Sequence, residues 1–304
     1  MLKIIISLFY LLNVYGLPLD SSQKDAPWHI HLNISGLRCG GSLIQDKYVV
    51  TAAHCFDYYL EEFGSDLSHF HIYIGEWKLS MDPDCDEDNS DEVCDYVVKS
   101  KAAALKIHEK YDKNEANSKH NYDIAVITLK RPPRVSEIVS SALLPDEECD
   151  DNFTGKDLRI SGFGETSHQV NAVVRKNIEI KVFDHGKCLS AFQNKVYDSK
   201  NHICGAGKNG LATCKGDSGS GAVSQIGADD DDEVKTYLTG IVSFGSDVCG
   251  DGKPTGLLKV SCFTDWINGV ISGVTKPKPA PPESSSSKPP SFNDNGDEEG
   301  DDGY

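Results

Sequence analysis

Positive charge and long apolar segments are both scarce in this chain. Lysine and arginine contribute 30 residues against 47 aspartates and glutamates, which leaves a formal net charge of -17 at pH 7. Nucleic acids are bound through clustered cations, so this composition argues against a nucleic-acid partner. The apolar run at residues 4–12 is shorter than the roughly 20 residues that cross a bilayer, so a membrane-spanning helix is not expected.

Cysteine spacing typical of zinc sites is also absent. The ten cysteines include no Cys-x-x-Cys pair. Residues 1–16 have the pattern of a signal peptide, with Lys3 ahead of the apolar run and a small-residue cleavage site at Gly16. We therefore expect a secreted, extracellular protein whose cysteines form disulfides and whose sequons at Asn33 and Asn152 can be glycosylated.

No long helical repeat competes with the strand patterns in the middle of the chain. Short segments rich in β-branched and aromatic residues, separated by turn signals, predict strands at residues 28–32, 41–52, 70–74, 124–129, 158–162, 173–182 and 237–244. These strands fit an all-β architecture of two antiparallel barrels. Near the end, helical spacing predicts a helix that docks on the barrels through Phe263, Trp266, Ile267, Val270 and Ile271.

Three short motifs carry candidate chemistry. Gly-Asp-Ser-Gly at residues 216–219 places Ser218 between glycines, and Thr-Ala-Ala-His-Cys at residues 51–55 contains His54. Asp123 opens the apolar run Asp-Ile-Ala-Val. A serine hydroxyl attacks a carbonyl only with a base in reach and with exposed amides that stabilise the oxyanion. A histidine, an aspartate and a glycine-flanked serine can supply those parts.

With these motifs in this order, residues 27–270 resemble the trypsin-like (chymotrypsin-fold) serine peptidases. The resemblance implies two antiparallel six-stranded Greek-key barrels with a C-terminal helix. It also implies that His54 is the general base, that Asp123 orients it and that Ser218 is the nucleophile. The amides of Gly216 and Ser218 would form the oxyanion hole. The implied activity is that of a secreted serine endopeptidase working through an acyl-enzyme.

The resemblance also points to a substrate pocket without tryptic specificity. Ala212 stands at the base of the pocket, where a tryptic enzyme has an aspartate. Ser243 and Gly245 fall on the strand that pairs with substrate, and Gly245 leaves the pocket mouth open. Thr255 stands where glycine is common and should make the pocket shallower. We therefore expect cleavage after small or medium apolar residues.

Activation is the step for which the family pattern is incomplete. In the family, a free amino terminus pairs with the carboxylate before the nucleophile, here Asp217, but no Arg-Ile-Val-Gly-Gly junction exists in this chain. The family's first residue would fall at Tyr15, inside the predicted signal peptide. A terminus at Leu17, ordering by a partner, and a weak zymogen-like state remain open. Ser220 and Gly221 also replace the usual Gly-Pro.

The family pattern implies most of the disulfide pairing. It pairs Cys39 with Cys55, Cys149 with Cys262, Cys188 with Cys204, and Cys214 with Cys249. Cys85 and Cys94 remain, and we expect them to close their own acidic loop.

The sequence Gly-Glu-Trp at residues 75–77, followed by Asp-Pro-Asp-Cys at residues 82–85, resembles the catalytic domains of arthropod clip-domain proteases, although no clip domain is expected ahead of it. The acidic loop spans residues 82–94. Its carboxylates could bind calcium with Glu76 as a further ligand, or could be solvated without a metal. The acidic run at residues 229–233 is predicted to be a hairpin tip, and residues 275–304 a disordered tail after the peptidase domain of residues 17–274.

The expected partners are protein or peptide substrates and protease inhibitors of the serpin or another type. No cofactor, membrane or nucleic acid is expected, and the protein should be a monomer. A catalytically weak or silent homolog that binds proteins as a cofactor or decoy is the alternative function. The missing activation sequence, the unusual pocket and the acidic segments support that alternative.

Overall fold

The computed structural model describes residues 19–20, 22–82, 84–85, 94–115, 120–166, 170, 172–193, 196–207, 211–226, 234–246, 248–249 and 251–273. For residues 19–20, 84–85 and 94–95 only the backbone is described. The predicted signal peptide and tail lie outside the described residues. Most of the acidic loop at residues 82–94 and all of the run at 229–233 do so as well.

Two sheets make up the body of the molecule. The first sheet contains β2 (His29–Ile34), β3 (Leu37–Ile44), β4 (Tyr48–Thr51), β5 (Phe70–Ile74), β8 (Val98–Ser100), β9 (Ala102–Ile107) and β10 (Ala125–Leu129). The second contains β1 (Leu19–Asp20), β11 (Asp157–Gly162), β12 (Lys176–Val182), β13 (His202–Ala206), β14 (Gly221–Ile226), β15 (Lys235–Phe244) and β16 (Thr255–Lys259). A separate pair, β6 (Asp84–Cys85) and β7 (Cys94–Asp95), places Cys85 opposite Cys94.

The second sheet closes into a barrel of six strands. Its order is β1-β12-β11-β14-β15-β16-β13, and a further pairing of β12 with β13 completes the ring. Strand β1 lies outside the ring and adds to the edge of β12, with Leu19 opposite Asn177. The six-stranded barrel implied by the family resemblance is therefore confirmed here, with one short extra strand.

The first sheet reaches the same count through a bent strand. Its order is β8-β5-β2-β3-β4-β10-β9, and only Lys101 separates β8 from β9 along the chain. Because β8 pairs with β5 and β9 pairs with β10, this one bent segment connects the two edges of the sheet. When β8 and β9 are counted as a single strand, the first sheet has six strands, in agreement with the prediction.

Alternating burial explains why these segments are strands. Along β5, Phe70, Ile72 and Ile74 are buried, whereas His71 between them is exposed. The hairpin from β2 to β3 turns through two residues, Ser35 and Gly36, that both have positive φ. Turns of this kind match the twist of antiparallel strands.

The predicted C-terminal helix is α3 (Thr264–Ser272), which follows α1 (Asp57–Phe63) and α2 (His185–Ala191) along the chain. Ile267 is wholly buried in the core of the first barrel, and Trp266, Val270 and Ile271 pack against that core. The helix therefore fastens the end of the domain to the amino-terminal barrel. Among the described residues, no helix is long and apolar enough to span a bilayer.

Four of the expected disulfides are present. They join Cys39 to Cys55, Cys149 to Cys262, Cys188 to Cys204, and Cys214 to Cys249. The expected bond between Cys85 and Cys94 involves side chains outside the described part, although their backbones face each other.

Candidate active site

His54 and Asp123 are brought together by neighbouring strands of the first barrel. His54 lies in a 3₁₀ turn that follows β4, and Asp123 lies two residues before β10, which pairs with β4. The N–H of His54 donates to Oδ1 of Asp123 at 2.9 Å, and Nδ1 of His54 lies 2.7 Å from Oδ2. These two contacts fix the imidazole in position and orientation.

Ser243 connects the second barrel to this pair. Its hydroxyl donates to Oδ2 of Asp123 at 2.5 Å, and the Asp123 side chain is almost wholly buried. Burial alone would raise the pKa of Asp123. The charge that His54 can carry, together with hydrogen bonds from His54 and Ser243, holds that pKa below its ordinary value. The carboxylate is therefore ionised at neutral pH.

The loop that carries Ser218 lies between the barrels. The carbonyl of Ser218 accepts a hydrogen bond from the N–H of Gly40 at 2.7 Å. Gly219 has a φ of +78°, and a Cβ there would lie 2.3 Å from Oγ1 of Thr51 and 2.5 Å from the carbonyl oxygen of Gly40. Only glycine fits this conformation and this contact, so the loop sits directly against the strands that lead to His54.

A cleft of about 230 Å³ contains Ser218 and extends into the second barrel. Its lining consists of Thr213, Cys214, Lys215, Ser218, Val242, Ser243, Phe244, Gly245 and Ser246. Because Ser243 also holds Asp123, the cleft, the serine loop and the histidine–aspartate pair meet at one place. Two of the predicted pocket residues, Ser243 and Gly245, belong to this lining.

The other two predicted pocket residues, Ala212 and Thr255, are not among these lining residues. Thr255 is wholly buried behind Thr213: its Oγ1 accepts the N–H of Thr213 at 2.9 Å and lies 2.9 Å from the Thr213 hydroxyl. Ala212 is half-buried and does not line the cleft. The hydroxyl pair therefore forms the wall behind the cleft, and no carboxylate lies among the cleft's lining residues.

Asp217 is a buried carboxylate held by backbone amides. It is 4 % exposed, and it accepts the N–H of Gly164 at 2.8 Å on Oδ1 and the N–H of Cys214 at 3.0 Å on Oδ2. Burial raises the pKa of Asp217 to about 6, although those two N–H groups oppose the rise. The negative charge on this residue is therefore poorly compensated.

A sequence model of the trypsin family matches residues 19–267. The chain belongs to the trypsin family. Similar proteins include CLIP domain-containing serine protease B10 of Anopheles gambiae, at 30% identity over 81% of this chain and 66% of the relative. Phenoloxidase-activating factor 3 of Holotrichia diomphalia is 32% identical over 82% of this chain and 70% of the relative. The predicted likeness to clip-domain proteases is confirmed.

The Spaetzle-processing enzyme of Drosophila melanogaster is 30% identical over 82% of this chain and 64% of that relative. The chain thus spans about two thirds of the length of the curated relatives it matches. Among solved structures, mouse neuropsin, a serine protease, superposes with a TM-score of 0.65 at 24% identity. The match covers 84% of this chain and 98% of neuropsin, and it shows the fold alone.

Several cleft residues of this trypsin-family chain were missed by sequence reasoning. Lys215 and Ser246 line the cleft, and so does Phe244, whose ring meets those of Phe192 at 4.9 Å and His202 at 5.0 Å. Lys215 precedes Gly216 and Ser246 follows Gly245 in the sequence, so their position beside predicted site residues could have identified them. Nothing in the sequence indicated the aromatic support behind Phe244.

Calcium binding near Glu76 stays a prediction, and other potential metal ligands cluster at one place among the described side chains. One group of three potential ligands occurs there, Glu165 with Cys214 and Cys249. Its two sulfurs already form a disulfide, so they cannot act as thiolate ligands. Glu76 is buried, and the acidic loop expected to bind calcium with it lies outside the described residues.

The two sequons occupy different surroundings. Asn33 is half-buried in β2, and its side-chain oxygen accepts the N–H of Gly36 at 3.0 Å. Asn152 is exposed, and its oxygen accepts the N–H of Thr154 at 2.9 Å. Glycosylation at both asparagines stays a prediction, and Asn152 is the more accessible acceptor.

Proposed function

We propose that this chain is a secreted serine endopeptidase that cleaves peptide bonds through Ser218, His54 and Asp123. The observation that carries the proposal is the connected set of hydrogen bonds from His54 to Asp123 to Ser243, with Ser243 and Ser218 lining one cleft. The relatives are named as proteases or processing enzymes, which supports the same activity class.

The geometry at His54 suits a general base. Its Nδ1 faces the ionised Asp123, so the ring proton belongs on Nδ1 and leaves Nε2 as the basic nitrogen. Nε2 takes the proton of the Ser218 hydroxyl as the serine oxygen attacks the peptide carbonyl, and then returns it to the leaving amine. Asp123 stabilises the imidazolium formed between the two steps. Water repeats the sequence to release the acyl group.

The oxyanion would be held by backbone amides of the serine loop. In the described part of the chain, neither the N–H of Gly216 nor that of Ser218 donates to a protein acceptor. Gly216 has a φ of +95°, which orients its peptide in a way that other residues rarely adopt. Donors of this kind contribute about 10² to 10³ in rate each in comparable enzymes.

The lining of the cleft supports specificity for small or medium apolar residues before the scissile bond. The wall formed by Thr213 and Thr255 carries hydroxyl groups and no carboxylate. A buried lysine or arginine side chain of the substrate would therefore lack an ionic partner, at a cost of several kcal/mol. Gly245 also lines the cleft and has no side chain that would narrow it.

The decisive experiment is labelling of the secreted protein with a fluorophosphonate, followed by mapping of the modified residue. We expect label on Ser218 in the wild type and none in Ser218→Ala. Complete absence of label from folded wild-type protein would contradict the proposal and favour the catalytically silent homolog. Sequencing of the amino terminus on the same material shows whether the chain begins at Leu17.

Specificity is tested separately with matched peptides that differ only in the residue before the scissile bond. We expect faster cleavage after alanine or valine than after arginine or lysine. Efficient hydrolysis of the arginine peptide would refute the assignment of the cleft while leaving the endopeptidase activity in place.

A further inference from the structure

The segment after the nucleophile contains a buried hydroxyl that the mechanism above does not use. Ser220 has no exposed surface, and its Oγ makes no hydrogen bond to any described residue. A hydroxyl that is buried without a partner costs about 1–3 kcal/mol, and native proteins contain few of them. A hydrogen bond made by this hydroxyl would remove that cost.

This hydroxyl lies beside the carboxylate of Asp217. A Cβ placed on Gly162 would lie 2.2 Å from Oδ1 of Asp217 and 3.3 Å from Oγ of Ser220. Both oxygens therefore lie close to the same face of Gly162. The backbone ties the two residues as well, because the N–H of Ser220 donates to the carbonyl of Asp217 at 3.0 Å.

Glycines line the space around the two oxygens. A Cβ on Gly40 would lie 2.0 Å from Oγ of Ser220, and a Cβ on Gly164 would lie 2.3 Å from Oδ2 of Asp217. Larger residues at these positions would displace the serine hydroxyl or the carboxylate. The absence of a side chain at these glycines thus leaves room for the serine hydroxyl and for the carboxylate.

The carboxylate can accept a further hydrogen bond. Its two oxygens take one backbone N–H each, from Gly164 and Cys214, whereas an ionised carboxylate has about four acceptor positions. Both donors are neutral amides. An added hydroxyl donor would stabilise the buried negative charge and would tie the start of β14 to the loop that carries Ser218.

We propose that Ser220 is a positioning residue whose hydroxyl, after rotation about its Cα–Cβ bond, donates to Oδ1 of Asp217. The bond holds Gly216 and Ser218 in the arrangement needed for catalysis. This inference rests on the proposed function. The hydroxyl supplies from within the chain a donor that the family resemblance assigns to an amino terminus, and it makes the loop less dependent on that terminus.

The test compares Ser220→Ala with Ser42→Ala by the rate constant of fluorophosphonate labelling at Ser218. Ser42 is a matched control because it is 1% exposed and its Oγ also has no partner among the described residues. We expect Ser220→Ala to label at least about tenfold more slowly, with Ser42→Ala within about twofold of wild type. Ser220→Gly replaces Ser220→Ala if the alanine protein does not fold.

A second readout separates positioning from a general loss of stability. The dipeptide Ile-Val carries an amine that can replace the lost donor at Asp217, so millimolar dipeptide should restore labelling of Ser220→Ala and raise its unfolding temperature more than that of wild type. Wild-type labelling rates in Ser220→Ala, or slow labelling without recovery, would overturn the inference. If wild type does not label, the proposed activity fails, and the comparison of unfolding temperatures still tests the contact.

Discussion

Ser243 shows how one hydroxyl from the second barrel supports a pair of residues on the first. Ser243→Ala removes the donor to Oδ2 of Asp123, and hydrogen bonds to a charged group are worth about 1.5–3 kcal/mol. We expect kcat/KM for a peptide substrate to fall about tenfold or more, with most of the change in kcat. Steady-state kinetics with a peptide substrate that has alanine immediately before the scissile bond would measure both kcat and kcat/KM.

Ser246 provides the control for that substitution. It also lines the cleft and donates from its hydroxyl to an aspartate, but its acceptor is Asp251 rather than Asp123. We expect Ser246→Ala to keep kcat within about threefold of wild type. Equal losses in the two variants would show that the contact between Ser243 and Asp123 has no special role.

Thr255 is expected to limit the size of the residue that the cleft accepts. Thr255→Ala removes the hydroxyl that holds Thr213 from behind, so Thr213 can move and deepen the cleft. The ratio of kcat/KM for leucine over alanine before the scissile bond should rise by about tenfold, since one methylene is worth about 1–3 kcal/mol in such pockets. Thr239→Ala, which removes another buried threonine hydroxyl, should leave the ratio unchanged.

At the scale of elements, the contact of the serine loop with strands β3 and β4 aligns the nucleophile with the base. Gly219→Ala would place a Cβ against the carbonyl of Gly40, which is backbone and cannot rotate away. Gly252 has a similar φ of +82° but open space around it. We expect Gly219→Ala to destabilise the fold by several kcal/mol, and Gly252→Ala by about 1 kcal/mol. Urea unfolding of both variants gives the difference.

Sequence patterns predicted the strands well because alternation of apolar residues reports burial directly, as in β5. They did not reveal α1, since only Tyr59 of its seven residues is buried. That helix depends on contacts of Tyr59 with the rings of Phe56 and Phe70, and Phe70 lies outside the helix, in β5.

Local sequence signals also identified the candidate site residues, and their catalytic roles stay predictions. The three motifs located His54, Asp123 and Ser218, because glycine and polar residues at fixed offsets are local signals.

Arg175, which lies outside the candidate site, was not foreseen from the sequence. It is wholly buried, and its guanidinium donates to backbone carbonyls of the amino-terminal segment, including that of Gln23 at 2.9 Å. Partners separated by about 150 residues in the chain leave no local pattern.

At the scale of the whole molecule, buried histidines should make the fold sensitive to acid. Burial lowers the pKa of His31, His108 and His202 to about 4 in each case, and that of His29 well below its ordinary value. Histidines of the unfolded chain take up protons near pH 6.5, before the folded protein does. Their contribution to stability is therefore complete above about pH 6.5 and is lost as the pH falls toward 4.

The titration of Asp217 has the opposite effect on stability, but it is one residue against four histidines. Its raised pKa of about 6 means that the folded state binds a proton before the unfolded state does, so acidification from pH 6 to 4 adds stability at this one residue. Four histidines against one aspartate leave a net loss. We expect the free energy of unfolding to fall by several kcal/mol between pH 7 and pH 4.5, which urea titrations at a series of pH values would measure.

His31→Phe tests whether this loss comes from the histidines. His31 is 4% exposed and its ring lies 5.1 Å from that of Phe163 and 5.7 Å from that of Tyr73, so phenylalanine suits the surroundings. The variant cannot take up the proton, and the decrease in stability between pH 7 and pH 4.5 should shrink by up to about 3 kcal/mol. An unchanged pH dependence in a folded His31→Phe protein would place the acid sensitivity in other groups, because a lowered pKa and a stability gradient are two descriptions of the same proton uptake.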